Sequence, residues 1–350
     1  MFRKILSAIL AVILITISLN IDTEAESVST NLINNKPMKV AVLLMNFTDQ
    51  YISLVRENLE EIQKENPEKV QFTFYDAKSN QAIQNEQIDT VLKKGTDLIL
   101  LHLVNNTNEA TVENVITDIK RTNTPVILFN REPISSILLR SYPKAVYIGL
   151  DAKQDGIKQG EILINEWNTN RDFIDKNNDN IMEYIILGGE RDNIVTKENT
   201  QYSISTIENA GIKTEELATT FAYWDRNFAK EIMESFFLKE GNNIEVVIAN
   251  DDSMALGAID ALQSFGYNLG DKEKTIAVVG VEGLPEAQEL IKKNMMLGTV
   301  FQDPKALAQA LYTVGMNLVQ NKAPLENTQY KFDKTNVSIR IPNEIMYKQD

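Results

Sequence analysis

Val40-Ala41-Val42-Leu43-Leu44-Met45 is an unbroken apolar run, and Ile52, Val55, Leu59 and Ile62 follow it at helical spacing. A run without polar alternation suits a strand buried on both faces of a parallel sheet, and the spacing after it suits an amphipathic helix laid over that sheet. The pair repeats outward. Val70–Tyr75, Leu98–Val104, Val126–Phe129, Val146–Ile148, Tyr184–Leu187, Val246–Ala249, Ile276–Val279 and Thr299–Phe301 read as further strands. Helical patterns over 110–119, 156–167, 228–237, 254–265, 285–293 and 305–319 separate most of them. This rhythm predicts an α/β fold of doubly wound parallel sheets. At 350 residues the chain is too long for one such sheet, so two lobes are expected.

Composition narrows the chemistry. With no cysteine, disulfides, thiolate catalysis and Cys-ligated zinc or iron–sulfur clusters are excluded. A single His removes multi-His metal centres. The formal charge of −14 argues against nucleic acid as a partner, because phosphate binding needs a basic footprint.

Arg3-Lys4 followed by apolar residues from Ile5 to Leu19 reads as a signal peptide ending at Thr23-Glu24-Ala25. The apolar stretch is short of the roughly 20 residues a spanning helix needs. Cleavage after Ala25 gives a leader of 1–25, and the polar residues 26–37 form a tether ending in Pro37. An uncleaved anchor is the alternative. Either way the expected location is the periplasm or the outer face of the cytoplasmic membrane.

In doubly wound sheets ligands bind beyond the carboxyl ends of the strands. The residues there are Asp49, Tyr51, His102 (placed within the third strand), Asn193, Trp224-Asp225, Asp251-Asp252, Glu282 and Gln302-Asp303. Carboxylates, amides and large aromatics suit a polyhydroxylated ligand, whose hydroxyls need acceptors and donors and whose C–H faces stack on rings. Asp and Asn are also favoured as helix N-caps, which is the plainer reading of each position alone.

Asp175-Lys-Asn177-Asn-Asp179-Asn-Ile181-Met-Glu183 places oxygen side chains at positions 1, 3, 5 and 9 and a backbone carbonyl at 7, as in the first nine places of an EF-hand calcium loop. Asn180 stands at the usual Gly, and the bidentate Glu of position 12 is replaced by Ile186. A surface turn without an ion is the alternative.

Taken together, Gln87-Ile-Asp89, Phe129-Asn-Arg-Glu-Pro133, the calcium loop, Gly211-Ile-Lys-Thr-Glu215, Tyr223-Trp-Asp225, residues 244–249, Leu284-Pro-Glu-Ala287 and Gly298-Thr-Val300 resemble the bacterial galactose/glucose-binding periplasmic proteins of the type I periplasmic-binding-protein superfamily. The resemblance implies two α/β lobes joined by a three-segment hinge, with sugar in the cleft and calcium in the C-terminal lobe. It places the lobe boundaries at 38–123 plus 304–333 and 124–303 plus 334–350. It implies Glu245 as the distal, bidentate ligand beside Asp175, Asn177, Asp179, Ile181 and Glu183. It assigns Asp49 to a sugar hydroxyl, Trp224 and Tyr51 to the two sugar faces, and His102, Asn193, Asn199, Asp251, Glu282 and Gln302 to further contacts. Tyr51 stands where the family has Phe, Asn199 where it has Arg, Val195 and Glu282 where it has Asp, and Asp251 and His102 where it has Asn, so galactose or glucose specificity does not carry over intact.

The expected function is therefore extracytoplasmic binding of a galactose- or glucose-like monosaccharide for an ABC permease or a chemoreceptor, by a monomer. A tethered input for a membrane histidine kinase is the alternative. An enzyme is not expected: no GxSxG, P-loop, GxGxxG or HExxH motif occurs, and Asp49 with Glu282 are explained more simply as hydroxyl acceptors than as a glycosidase dyad.

Overall fold

The computed structural model describes residues 36–347. The expected leader, and all but the last two residues of the expected tether, lie outside the described residues.

The chain runs β1 (Met38–Leu44), α1 (Gln50–Glu65), β2 (Val70–Asp76), α2 (Gln81–Lys94), β3 (Leu98–Leu101), α3 (Glu109–Arg121), β4 (Val126–Phe129), α4 (Ser136–Arg140) and β5 (Ala145–Gly149). It continues as α5 (Ala152–Thr169), α6 (Arg171–Ile174), β6 (Ile181–Gly188), α7 (Ile194–Asn209), β7 (Lys213–Phe221), α8 (Arg226–Glu240) and β8 (Val246–Ala249). Then come α9 (Asp252–Ser264), β9 (Ala277–Glu282), α10 (Pro285–Lys292), β10 (Gly298–Gln302), α11 (Pro304–Val319), β11 (Ser338–Arg340) and β12 (Asn343–Tyr347).

Two six-stranded sheets result, in the orders β11-β5-β4-β3-β1-β2 and β12-β10-β9-β8-β6-β7. Every pairing is parallel except β12, which lies antiparallel to β10 at the edge of the second sheet. The apolar runs are buried as their composition demands: all residues of β3, β4, β5 and β8 are buried. The chain passes between sheets three times, at 150–151, 303 and 341–342.

These crossings move the expected lobe boundaries. Residues 124–150 do not start the C-terminal lobe: Val126 pairs with Ile99 of β3 and with Ala145 of β5, inside the first sheet. Residues 334–340 also belong to the first lobe, because Ser338 pairs with Tyr147. The first lobe is thus 38–150 plus 304–340, and the second 152–303 plus 343–347. A short apolar run declares that it is buried but not which sheet buries it, and β4 carries the same kind of pattern as β8.

The helices that follow the strands begin at the cleft. Asp49, Asn193, Asp225, Asp251 and Asp303 cap α1, α7, α8, α9 and α11 with side-chain oxygens on early helical N–H groups. The capping reading of these residues is therefore correct, and it holds them at the strand ends where a ligand would meet them.

Candidate functional site

A cavity lies between the two lobes at the carboxyl ends of both sheets. Eight of the nine expected ligand residues line it: Asp49 and His102 from the first lobe, Asn193, Asn199, Trp224, Asp251 and Glu282 from the second, and Gln302 at a crossing. The ninth, Tyr51, does not. It sits in the first turn of α1, packed into the core at 1% exposure, with a hydroxyl that lacks a hydrogen-bond partner. Burial, and then the Glu282, Asp155, Asp303 and Asp49 carboxylates, push its phenol well above the usual range. His102 lies just past β3 rather than within it, because that strand ends at Leu101.

Arg131, Asp155, Asn130, Tyr147 and Asn250 also line the cavity and were not singled out from sequence. Arg131 falls within Phe129-Asn-Arg-Glu-Pro133, one of the stretches that carry the family resemblance. Asp155 escaped because it sits on the first turn of α5 rather than directly past a strand.

Arg131 spans the cleft. Its guanidinium donates to the Leu103 carbonyl at 2.7 Å, to Val104 O at 3.1 Å and to Asn106 Oδ1 at 2.9 Å within the first lobe. From the same group it reaches both carboxylate oxygens of Glu190 at 2.9 Å, beyond β6 in the second lobe. Asp155 occupies the meeting point of the crossings. It accepts from Gln302 Nε2 at 3.0 Å, at the end of β10, and from Asn343 Nδ2, at the start of β12. Asn250 Nδ2 donates to Asn199 Oδ1 at 2.9 Å, and its own oxygen accepts the Gly189 N–H, fixing the floor of the second lobe's side.

Burial dominates the electrostatics. It pushes Asp155 up to about 7, against hydrogen bonds from Asn343 and Gln302 that pull the other way. It pushes Asp251 up to about 8, with Asp252 and Asp49 adding to the rise, and raises Glu282 well above the carboxylate range, where Asp251 is the next contributor. His102 moves the opposite way, held well below its usual value by burial and by Arg131, so the ring is neutral. Its Nδ1 accepts the Met45 N–H at 3.4 Å, which puts the proton on Nε2, and Nε2 has no partner. Trp224 Nε1 is likewise buried without one. The backbone is strained here: Trp224 has φ 63° and Glu282 φ 111°, values L-residues seldom adopt. The cavity offers acceptors, two unmet donors and an indole, with no nucleophile–base pair.

Residues 40–323 match the periplasmic binding protein domain family. The chain is a periplasmic binding protein. It is 32% identical over 305 residues to the D-galactose/methyl-galactoside binding periplasmic protein MglB of Haemophilus influenzae, across 87% of this chain and 88% of that one. It is 23% identical to a putative rhizopine-binding protein of Rhizobium meliloti, across 79% and 83%. An ABC transporter solute binding protein from Bacillus halodurans with bound myo-inositol superimposes with a TM-score of 0.72 at 23% identity, covering 90% of this chain and 96% of that one. One from Actinobacillus succinogenes with bound D-allose gives 0.73 at 18%, covering 89% and 98%. Periplasmic binding proteins hold solutes without converting them, so this chain is not an enzyme. No helix among the described residues is long and apolar enough to cross a membrane.

Two expectations arise from this periplasmic binding protein's cleft. Gly189 lies under the indole: a Cβ there would fall 2.0 Å from Trp224 Cζ2, too close for any real contact. Gly189→Ala will therefore displace the ring and weaken ligand binding at least tenfold, about 1.4 kcal/mol, while leaving both sheets folded. Titration calorimetry with far-ultraviolet circular dichroism reads both. The second concerns pH. Asp155 and Asp251 bind protons more tightly folded than unfolded, so between about pH 4 and pH 8 the native state holds more protons and stability falls as pH rises. The ligand-free protein will melt at a lower temperature near pH 8 than near pH 5, and an unchanged or rising melting temperature would contradict the assignment.

Proposed function

We propose that this periplasmic binding protein captures a monosaccharide or closely related cyclic polyol in the interlobe cleft and hands it to an ABC-type permease. The observation that carries the reading is the pair of buried donors without partners, His102 Nε2 and Trp224 Nε1, facing a wall of carboxylates and amides. A buried polar group without a partner costs about 1–3 kcal/mol, and a ring of hydroxyls supplies acceptors and donors together. Closure of the lobes about the three crossings would present the loaded form to the permease. The same closed form would serve a chemoreceptor, and a single copy of the chain suffices for either. Calorimetry against galactose, glucose, ribose, allose and myo-inositol tests the reading. Binding of at least one at micromolar affinity or better is expected, and no heat from any of them would overturn it.

The reading includes a structural calcium in the second lobe. Asp175 Oδ1 and Glu183 Oε2 are buried carboxylate oxygens with no partner, an unfavourable arrangement that a hard cation would relieve. Glu245, 1% exposed, accepts the N–H groups of Lys176 and Glu183, which ties it to the loop. Burial and the adjoining Glu183 carboxyl push it up to about 8. Asn180 has φ 66°, the left-handed conformation the loop requires at its Gly position. Among the described residues no three acidic or His side chains already stand at metal-binding spacing, so the ion would draw Asp175, Asn177, Asp179, the Ile181 carbonyl, Glu183 and Glu245 inward. These residues surround the amino-terminal ends of β6 and β8, the opposite end of the lobe from the cleft, which fits a staple rather than a ligand contact.

A further inference from the structure

We propose that the cleft selects a polyhydroxylated ring bearing a protonated amine, an amino sugar or amino-polyol, over its neutral counterpart. The proposal rests on the sugar-binding reading above and narrows it.

Four carboxylates, Asp49, Asp155, Asp251 and Glu282, line one cavity. Arg131 is the only cationic side chain among the described residues lining it, and Glu190 already neutralises that guanidinium through both oxygens. His102 contributes no charge, being neutral. The carboxylates are sparsely compensated. Asp49 accepts the helix-capping N–H of Ile52 at 2.9 Å and feels the Arg131 charge, and Asp251 accepts that of Met254 at 2.7 Å. Asp155 has two neutral amide donors, and the Glu282 side chain has no hydrogen-bond partner among the described residues.

A neutral sugar can satisfy such acceptors with hydroxyls, but it leaves like charges enclosed together when the lobes exclude water. That arrangement is costly unless the charges are paired or protonated. Asp251, Asp49 and Asp252 all act to raise Glu282, which places these groups within electrostatic reach of one another. One ammonium set among Asp49, Asp251 and Glu282 would relieve that repulsion and form charge-assisted hydrogen bonds, about twice as strong as neutral ones. The second, independent feature is His102. It is 1% exposed, and its proton-bearing Nε2 is free while Nδ1 is engaged by Met45. That donor calls for a hydroxyl or ring oxygen rather than a second cation. The combination fits a ligand carrying both a positive charge and oxygen acceptors, and it disfavours a bare metal ion or a simple alkylamine.

The test is calorimetry on the full chain at neutral pH with galactosamine, glucosamine, their N-acetyl derivatives, galactose and glucose. At least one amine should bind tenfold or more tightly than its neutral parent, lose that advantage on N-acetylation, and weaken as ionic strength rises. Asp251→Asn and Glu282→Gln, each checked for folding by its melting transition, should lower the amine-to-neutral affinity ratio at least tenfold. If a neutral sugar binds as well as or better than its amine, the charge selectivity is wrong and the sugar reading stands. If the ratio is unchanged in both folded variants, the carboxylate assignment is wrong. If nothing on the panel binds, amine or neutral, the sugar reading falls and takes this proposal with it.

Discussion

Arg131→Met will destabilise the protein by about 3 kcal/mol, at the lower end of what breaking a buried ion pair costs. The side chain is 7% exposed and its Glu190 partner 29%, so some water reaches the carboxylate and tempers the loss. Methionine restores most of the volume, so the effect isolates the guanidinium rather than a void. What it strands is specific: the Glu190 carboxylate, the carbonyls of Leu103 and Val104, and Asn106 Oδ1. Because these partners lie in both lobes, the loss should appear twice, as a lower melting temperature and as weaker ligand affinity. Pairing the change with Glu190→Gln should recover a measurable part of the stability, since the second substitution removes the stranded charge; a double-mutant cycle gives the interaction energy. A melting temperature for Arg131→Met equal to that of the parent would mean that the pair does not hold the lobes.

Stripping divalent cations with a chelator is expected to lower the melting temperature by several degrees, and calcium should restore it. At a hundredfold excess over the dissociation constant, a ligand that binds only the folded state contributes about 2.7 kcal/mol. Three carboxylates of the 175–183 loop and its neighbour, Asp175, Glu183 and Glu245, are almost wholly buried, so removing the ion leaves them to repel one another out of reach of water. Glu245→Gln should abolish the calcium response while folding well, because the amide oxygen can still accept from Lys176, as the carboxylate does at 2.7 Å, and only the longer 3.3 Å bond from Glu183 to the other oxygen is lost. A melting temperature indifferent to both chelator and calcium would remove the ion from the account.

The βαβ rhythm was legible because a strand covered on both faces has no polar residue to interrupt it, and β3, β4, β8 and β1 from Val40 onward are of that kind. Which sheet each strand joins was not legible, since pairing is set by distant backbone partners: Val126 meets Ile99 and Ala145, and nothing in residues 126–129 announces it. The cleft residues were found where they directly follow a strand, as with Asp49, Trp224 and Asp251. Tyr51 lies only two positions from Asp49, yet the first turn of α1 seats its ring among core side chains and it does not line the cavity. Arg131 was invisible as a site residue because its significance lies in Glu190, fifty-nine positions away and on the other lobe. The proton-holding character of Asp155 depends on burial by all three crossings, which no local pattern records.

The three crossings also bear on how such a chain comes into being. β11 and β12 complete the edges of the first and second sheets, and both are drawn from residues 338–347. During synthesis neither sheet can acquire its final edge until that segment has left the ribosome, so every nascent intermediate carries two open edges and an unjoined hinge. A polypeptide built this way cannot complete either sheet, or the hinge between them, before residues 338–347 are free to pair, so its two lobes become native together rather than one after the other.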